Sequence, residues 1–208
     1  MDTIQKQKLL DEVARDIAAT KGGPLEGPGQ NPVPGEGSPD AKVMFIGEAP
    51  GYHENEQKRP FVGVSGQLLR KTMAENGFPP EDVFITNIVK FRPPGNRDPL
   101  PEEIEFFQPF LDKQIAIIDP KIIVTVGRFS MYKFLGVGVS ISKIHGQARK
   151  IGERYIFPMF HSAAALRAGD VMKSFLDDFK KLKAFADKPE KPKVAEIKKI
   201  ESQQMELV

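Results

Sequence analysis

Four short apolar runs, Val43 to Ile46, Val83 to Val89, Ile122 to Val126 and Tyr155 to Phe160, constrain this chain more than any other feature of its sequence. Each is short enough to be a buried strand. Helical stretches lie between them. Ser65 to Asn76 opens on a serine suited to capping and stops at Gly77, Pro101 to Ile118 is apolar on one face with a break expected at Pro109, and Arg128 to Leu135 is short. Parallel neighbours need a long connection that usually becomes a helix, so this alternation predicts an α/β fold. The expected architecture is a three-layer sandwich around a four-stranded parallel sheet. An amphipathic helix over residues 3 to 19, with Ile4, Leu10, Val13, Ala14 and Ile17 at helical spacing, covers one side. Another starts at Asp170 and closes the domain with Val171, Met172, Phe175, Leu176, Phe179 and Leu182.

The punctuation of the chain sets its boundaries. Residues 21 to 40 are dense in glycine and proline, which predicts a long surface loop that is ordered only where it finds partners. The domain is expected to span residues 1 to 185. Residues 186 to 208 form a lysine-rich C-terminal tail with Pro189 and Pro192 and a weak helical pattern through Val194, Ile197 and Ile200. It reads as a solvated tail or as a helix that binds a protein partner.

Composition excludes several classes. With 208 residues, 40% of them hydrophobic, the chain makes one globular domain, and no apolar run approaches the roughly 20 residues that span a bilayer. The acidic residues Asp2, Asp11, Glu12 and Asp16 argue against a secretory signal, so a cytoplasmic address and no membrane contact are expected. The 30 basic and 28 acidic residues are too evenly balanced to announce nucleic acid by net charge. There is no cysteine, which excludes disulfides, thiol nucleophiles, thiolate zinc sites and cysteine-held iron-sulfur clusters. Chemistry falls to carboxylates, amides, imidazoles and backbone.

In open parallel sheets ligands bind outside the carboxyl ends of the strands. Here the first strand runs into Gly47-Glu48-Ala49-Pro50-Gly51, the second ends near Asn87, the third at Gly127 and the fourth at His161. A carboxylate, an amide, close-approach backbone and an imidazole would converge on one crevice. Each has a plainer reading. The glycines match neither the dinucleotide fingerprint nor the phosphate loop and can be a turn. Asn87 in an apolar strand needs a partner, either backbone or ligand. His161 precedes a small-residue loop, and Phe61 is either a core plug or a stacking platform. Lys90 to Arg97 suits a phosphate-contacting loop or a solvated turn.

Together the segments resemble the uracil-DNA glycosylase superfamily, most closely its family 4. The resemblance rests on Gly47 to Glu54, Arg59 to Leu69, Thr86 to Lys90 with Arg92 to Arg97, and Phe160 to Arg167, in order over about residues 20 to 185. It implies that uracil-containing DNA is the partner, that deoxyuridine is flipped out, and that its glycosidic bond is hydrolysed to leave an abasic site. In that reading Phe61 stacks on the uracil, Asn87 bonds its polar edge, and His161 stabilises the departing base anion. Glu48 and backbone at Ala49 position the water, and Glu54 helps exclude thymine. Ser65, Gly66, Ser162 and Arg167 are expected at phosphates, with Leu166 or Arg167 filling the gap in the stack. A monomer is expected.

The chain departs from the family's pattern. Ala49 stands where the best-known members carry an aspartate, Gly51 where others carry a tyrosine, and Ser162 where a proline usually follows the histidine. Family 4 also carries four cysteines that hold an iron-sulfur cluster. Their places fall at Thr20, Gly23, Phe91 and Phe107, so no cofactor and no metal are expected, phenylalanines should fill the volume, and the neighbouring loop should be less ordered. Action on hypoxanthine or mismatched bases, or uracil-DNA binding without catalysis, are the alternative readings. A branch that links covalently to DNA needs an added basic loop ending in histidine, which Gly95-Asn96-Arg97-Asp98 does not supply.

Overall fold

A computed structural model describes residues 1–20 and 22–188. Its centre is four parallel strands, β2 (Val43–Gly47), β3 (Val83–Asn87), β4 (Ile122–Val126) and β6 (Arg154–Met159), in the order β3-β2-β4-β6. Every residue of β2, β3 and β4 is buried, as a parallel sheet covered on both faces requires. Alternate side chains go to opposite layers. Met44, Ile46, Phe84 and Ile123 pack with α1 (Thr3–Ala18), α4 (Pro101–Ile118) and α5 (Arg128–Leu135). Phe45, Ile85, Val124 and Phe157 pack with α3 (Val64–Glu75) and α8 (Gly169–Asp187).

The sheet has six strands rather than the four expected. Two short antiparallel strands cover its edges, β1 (Glu36–Gly37) on β3 and β5 (Arg149–Ile151) on β6. They are too short and too polar to show as apolar runs. The close approach of β1 depends on glycine: at Gly37, with φ 129°, an added Cβ would sit 2.0 Å from the Val83 carbonyl oxygen.

Three boundaries also differ. The cap of α3 is Gly63 and not Ser65, which lies inside the helix. The break expected at Pro109 does not occur, because Phe107, Leu111, Ile115 and Ile118 bury one continuous face of α4 across it. The last helix reaches Asp187, and the tail beyond residue 188 lies outside the described residues.

The glycine- and proline-rich loop finds its partners within the chain, against the expectation of a loosely held segment. Leu25 and Val33 are buried, and Val33 N donates to the Lys90 carbonyl at 2.8 Å. The Pro34 carbonyl accepts from Thr86 Oγ1 and Gln114 Nε2, both at 2.8 Å. Asn55 donates to the Gly29 carbonyl and accepts from Asn31 N.

Candidate active site

The register Gly47↔Asn87 sets the ends of β2 and β3 side by side, beneath a cavity of about 430 Å³. Glu48, Ala49, Glu54, Phe61, Ser65, Asn87, His161 and Arg167 all line it, so the strand ends do converge. Phe61 forms one wall. Its ring lies directly over Gly47, where an added Cβ would be 2.3 Å from Phe61 Cζ and 2.4 Å from Asn87 Oδ1. Only glycine leaves room there for both groups. Asn87 is 2% exposed, and among the described residues its side-chain amide has no hydrogen-bond partner. A buried amide in that state is suited to a ligand.

Phe61 is held in an unusual conformation. Its φ of 54° is costly for a bulky side chain, by about 1–3 kcal/mol, and persists only where neighbours impose it. Arg70 Nε donates to the Phe61 carbonyl at 2.8 Å, and Gly66 packs so closely that a Cβ would lie 2.1 Å from the Phe61 carbonyl carbon. Glu54 completes the clamp. Its carboxylate accepts from Val62 N and Gly63 N at 2.8 Å and from Gly51 N at 3.2 Å, tying the turn after β2 to the loop that carries Phe61.

His161 faces Phe61 across the cavity, with ring centroids 6.1 Å apart. It caps the short helix α7 (Ser162–Ala165), its Nδ1 accepting from Ala163 N at 3.1 Å. That bond leaves the proton on Nε2. Burial, with the Arg167 charge adding to it, lowers the imidazole pKa from its ordinary 6.5 to about 4. At neutral pH the ring is therefore an uncharged donor.

Glu48 behaves in the opposite sense. Burial comes first, and the Asp98 charge with a hydrogen bond between the two carboxyls adds to it, raising Glu48 to about 7. Arg128 works against the rise; its Nη2 donates to Asp98 Oδ2 at 2.5 Å. Asp98 and Arg128 were not among the residues that the sequence singled out. Asp98 stands in the polar loop before α4 and Arg128 opens α5 directly after β4, and the fold sets both beside Glu48.

The expected DNA contacts divide. Ser65 lines the cavity, Leu166 is 46% exposed, and Arg167 is an exposed rim arginine with no carboxylate partner among the described residues. Gly66 can reach a phosphate only through its backbone, and the Ser162 hydroxyl is not accessible to one. Gly66 is buried against Phe61, and Ser162 is fully buried with its hydroxyl unpaired among the described residues. Lys90 is also removed from the expected phosphate loop. It is fully buried, and its Nζ donates to Thr86 Oγ1, the Asn87 carbonyl and Gln114 Oε1 at 2.7–2.8 Å.

The four places where the resemblance puts cluster cysteines do not fit an iron-sulfur group. Thr20 Oγ1 is engaged with the Ile17 carbonyl at 2.7 Å, and Gly23 lies against the Phe106 ring, 3.0 Å from where a Cβ would be. Phe91 and Phe107 are buried, their centroids 5.8 Å apart, and Phe106 meets Phe107 edge-on at 5.0 Å. Hydrocarbon occupies the space and no thiolate is on offer.

A flat aromatic wall, an unpaired amide and an uncharged imidazole donor around one cavity suit a planar heterocycle, held at the carboxyl ends of an α/β sheet. Comparison with known proteins agrees. The pattern that defines the Uracil DNA glycosylase superfamily matches residues 34–184, and the chain belongs to that family. It is 44% identical over 191 residues to a type-4 uracil-DNA glycosylase of Sulfurisphaera tokodaii, covering 88% of this chain and 87% of that protein. A type-4 uracil-DNA glycosylase of Saccharolobus solfataricus is 45% identical over 173 residues, 77% of this chain and 79% of its own. One from Thermotoga maritima is 38% identical over 187 residues, 88% of this chain and 97% of its own.

Proposed function

We propose that the protein is a monofunctional uracil-DNA glycosylase that flips deoxyuridine out of DNA and hydrolyses its N-glycosidic bond. The observation that carries the reading is His161, an uncharged Nε2–H donor facing Phe61 across a cavity that Asn87 also lines. The extruded uracil stacks on Phe61, and the Asn87 amide donates to and accepts from its polar edge. That pairing selects uracil over cytosine, whose exocyclic amine reverses one hydrogen bond.

The glycosidic bond breaks with its electron pair passing to the base, and charge grows on the base oxygen facing His161. A donor already neutral and in place stabilises that charge without a proton transfer. Water then adds to the sugar carbon and gives up a proton to Glu48, whose carboxylate lies on the polar wall with Asp98. Glu54, immobilised by three backbone donors, narrows the pocket against the methyl group of thymine. Arg167 holds the strand by a phosphate, and Leu166 enters the gap in the stack.

The test is an oligonucleotide panel carrying uracil, hypoxanthine or mismatched bases, with wild type and His161→Ala in parallel. Wild type should convert the uracil strand to an alkali-labile product. His161→Ala should lose about 10²–10³-fold in rate with binding retained. An uncleaved uracil strand, bound normally by wild type, would overturn the assignment, and cleavage confined to another base would reassign the substrate.

A further inference from the structure

Next to the cavity lies an aromatic that neither the fold nor the proposed chemistry uses. Tyr52 is the first residue of α2 (Tyr52–Gln57) and follows Gly51, which lines the cavity. Its side chain is 52% exposed and belongs to neither hydrophobic layer. It is nonetheless held in place. The Arg92 guanidinium lies over the ring, 5.2 Å from its centroid, and the His53 ring meets it edge-on at 5.4 Å. Arg92 is fixed in turn, its Nε donating to Asn96 Oδ1 at 2.6 Å, and it makes no ion pair among the described residues. Asn96 and Pro93 both line the cavity. The loops after β2 and β3 thus meet at the cavity mouth in an arginine–tyrosine pair that contributes nothing to the core.

Building on the proposed reading, we infer that Tyr52 and Arg92 form a stacking platform for an unpaired base adjacent to the flipped nucleotide, and that this platform favours single-stranded DNA. A planar guanidinium and a phenol ring each present a π-face that any base can use, and both are already ordered. In a duplex the neighbouring base is paired and stacked on its own helix, so reaching the platform costs a second unpairing. A single strand has no such cost. The exposed apolar residues beside other lining residues, Val64 at the start of α3 next to Ser65 and Leu166 after α7 next to Arg167, are aliphatic and present no π-face.

The experiment measures Kd for oligonucleotides containing 2′-fluoro-2′-deoxyuridine, which resists glycosidic cleavage, as single strand and as duplex. Wild type, Tyr52→Ala and Tyr52→Phe are compared. Base–aromatic stacking of about 1–3 kcal/mol corresponds to about 5- to 150-fold in affinity. Tyr52→Ala should weaken single-strand binding within that range and duplex binding by less than about twofold, while Tyr52→Phe retains both. A single strand with an abasic spacer beside the uracil should cost wild type the same factor on one side of the lesion and cost Tyr52→Ala nothing further. Unchanged single-strand affinity in Tyr52→Ala, or equal loss on single strand and duplex, would overturn the platform. Cleavage of an unmodified deoxyuridine strand by wild type is read separately and tests only the underlying activity.

Discussion

At the scale of single residues, the site depends on groups that act through their neighbours. Gly47 does no chemistry, yet the Phe61 ring and the Asn87 amide both occupy the space its missing side chain leaves. Gly47→Ala should displace both and lower turnover of a uracil strand by about 10²-fold, with the circular dichroism spectrum of the fold preserved. Asp98 acts on Glu48 at close range. Asp98→Asn removes a negative neighbour and leaves Arg128 facing Glu48, so the Glu48 pKa should fall from about 7. Because a general base must be ionised, the acid limb of the kcat/KM profile should move to lower pH. A limb that stays in place would remove Asp98 from this role. Glu48, Asn87 and His161 were legible in the sequence because each stands at the end of an apolar run. Asp98 was not, because a carboxylate in a polar loop carries no signal until the fold brings it in, and Arg128 was passed over although it opens α5 directly after the third strand end.

At the scale of elements, the four parallel strands were readable because burial on both faces forces continuous apolar text. The edge strands were not, since two or three polar residues paired on one side look like loop. The 22–40 segment shows the same limit in reverse. Its glycines and prolines describe local conformational freedom, and the long-range bonds from Lys90, Thr86, Gln114 and Asn55 that hold it cannot be read from its own composition. The phenylalanine group at Phe91, Phe106 and Phe107 joins β3's following loop, α4 and this segment. None of the three lines the cavity, so the group should matter for stability and little for chemistry. Phe107→Ala, which empties a fully buried site, should cost about 3–5 kcal/mol in urea unfolding while leaving single-turnover cleavage at saturating DNA within about twofold. Loss of catalysis at temperatures where the variant is folded would contradict that division.

At the scale of the whole molecule, the active site is a cost to stability whose sign changes with pH. Glu48 is raised from 4.5 to about 7, so across that interval the folded state holds a proton that the unfolded chain has released. Its contribution is fully present below pH 4.5 and is lost as pH rises through 7. His161 is lowered from 6.5 to about 4, so there the unfolded chain holds the extra proton, and stability is lost as pH falls through that window. Folding favours the protonated Glu48 and the deprotonated His161, so the two groups narrow the stable range from opposite sides, although catalysis uses both deprotonated. Glu48→Gln removes one of them without changing shape. A shift from 4.5 to about 7 corresponds to roughly 3 kcal/mol, and partial exposure of the group reduces this to about 2 kcal/mol. The variant should match wild type in urea unfolding near pH 4.5 and exceed it by about that amount at pH 8, while losing activity. A gain of equal size at both pH values would mean that Glu48 ionises normally in the folded protein, and that the carboxyl pair with Asp98 does not hold the proton assigned to it.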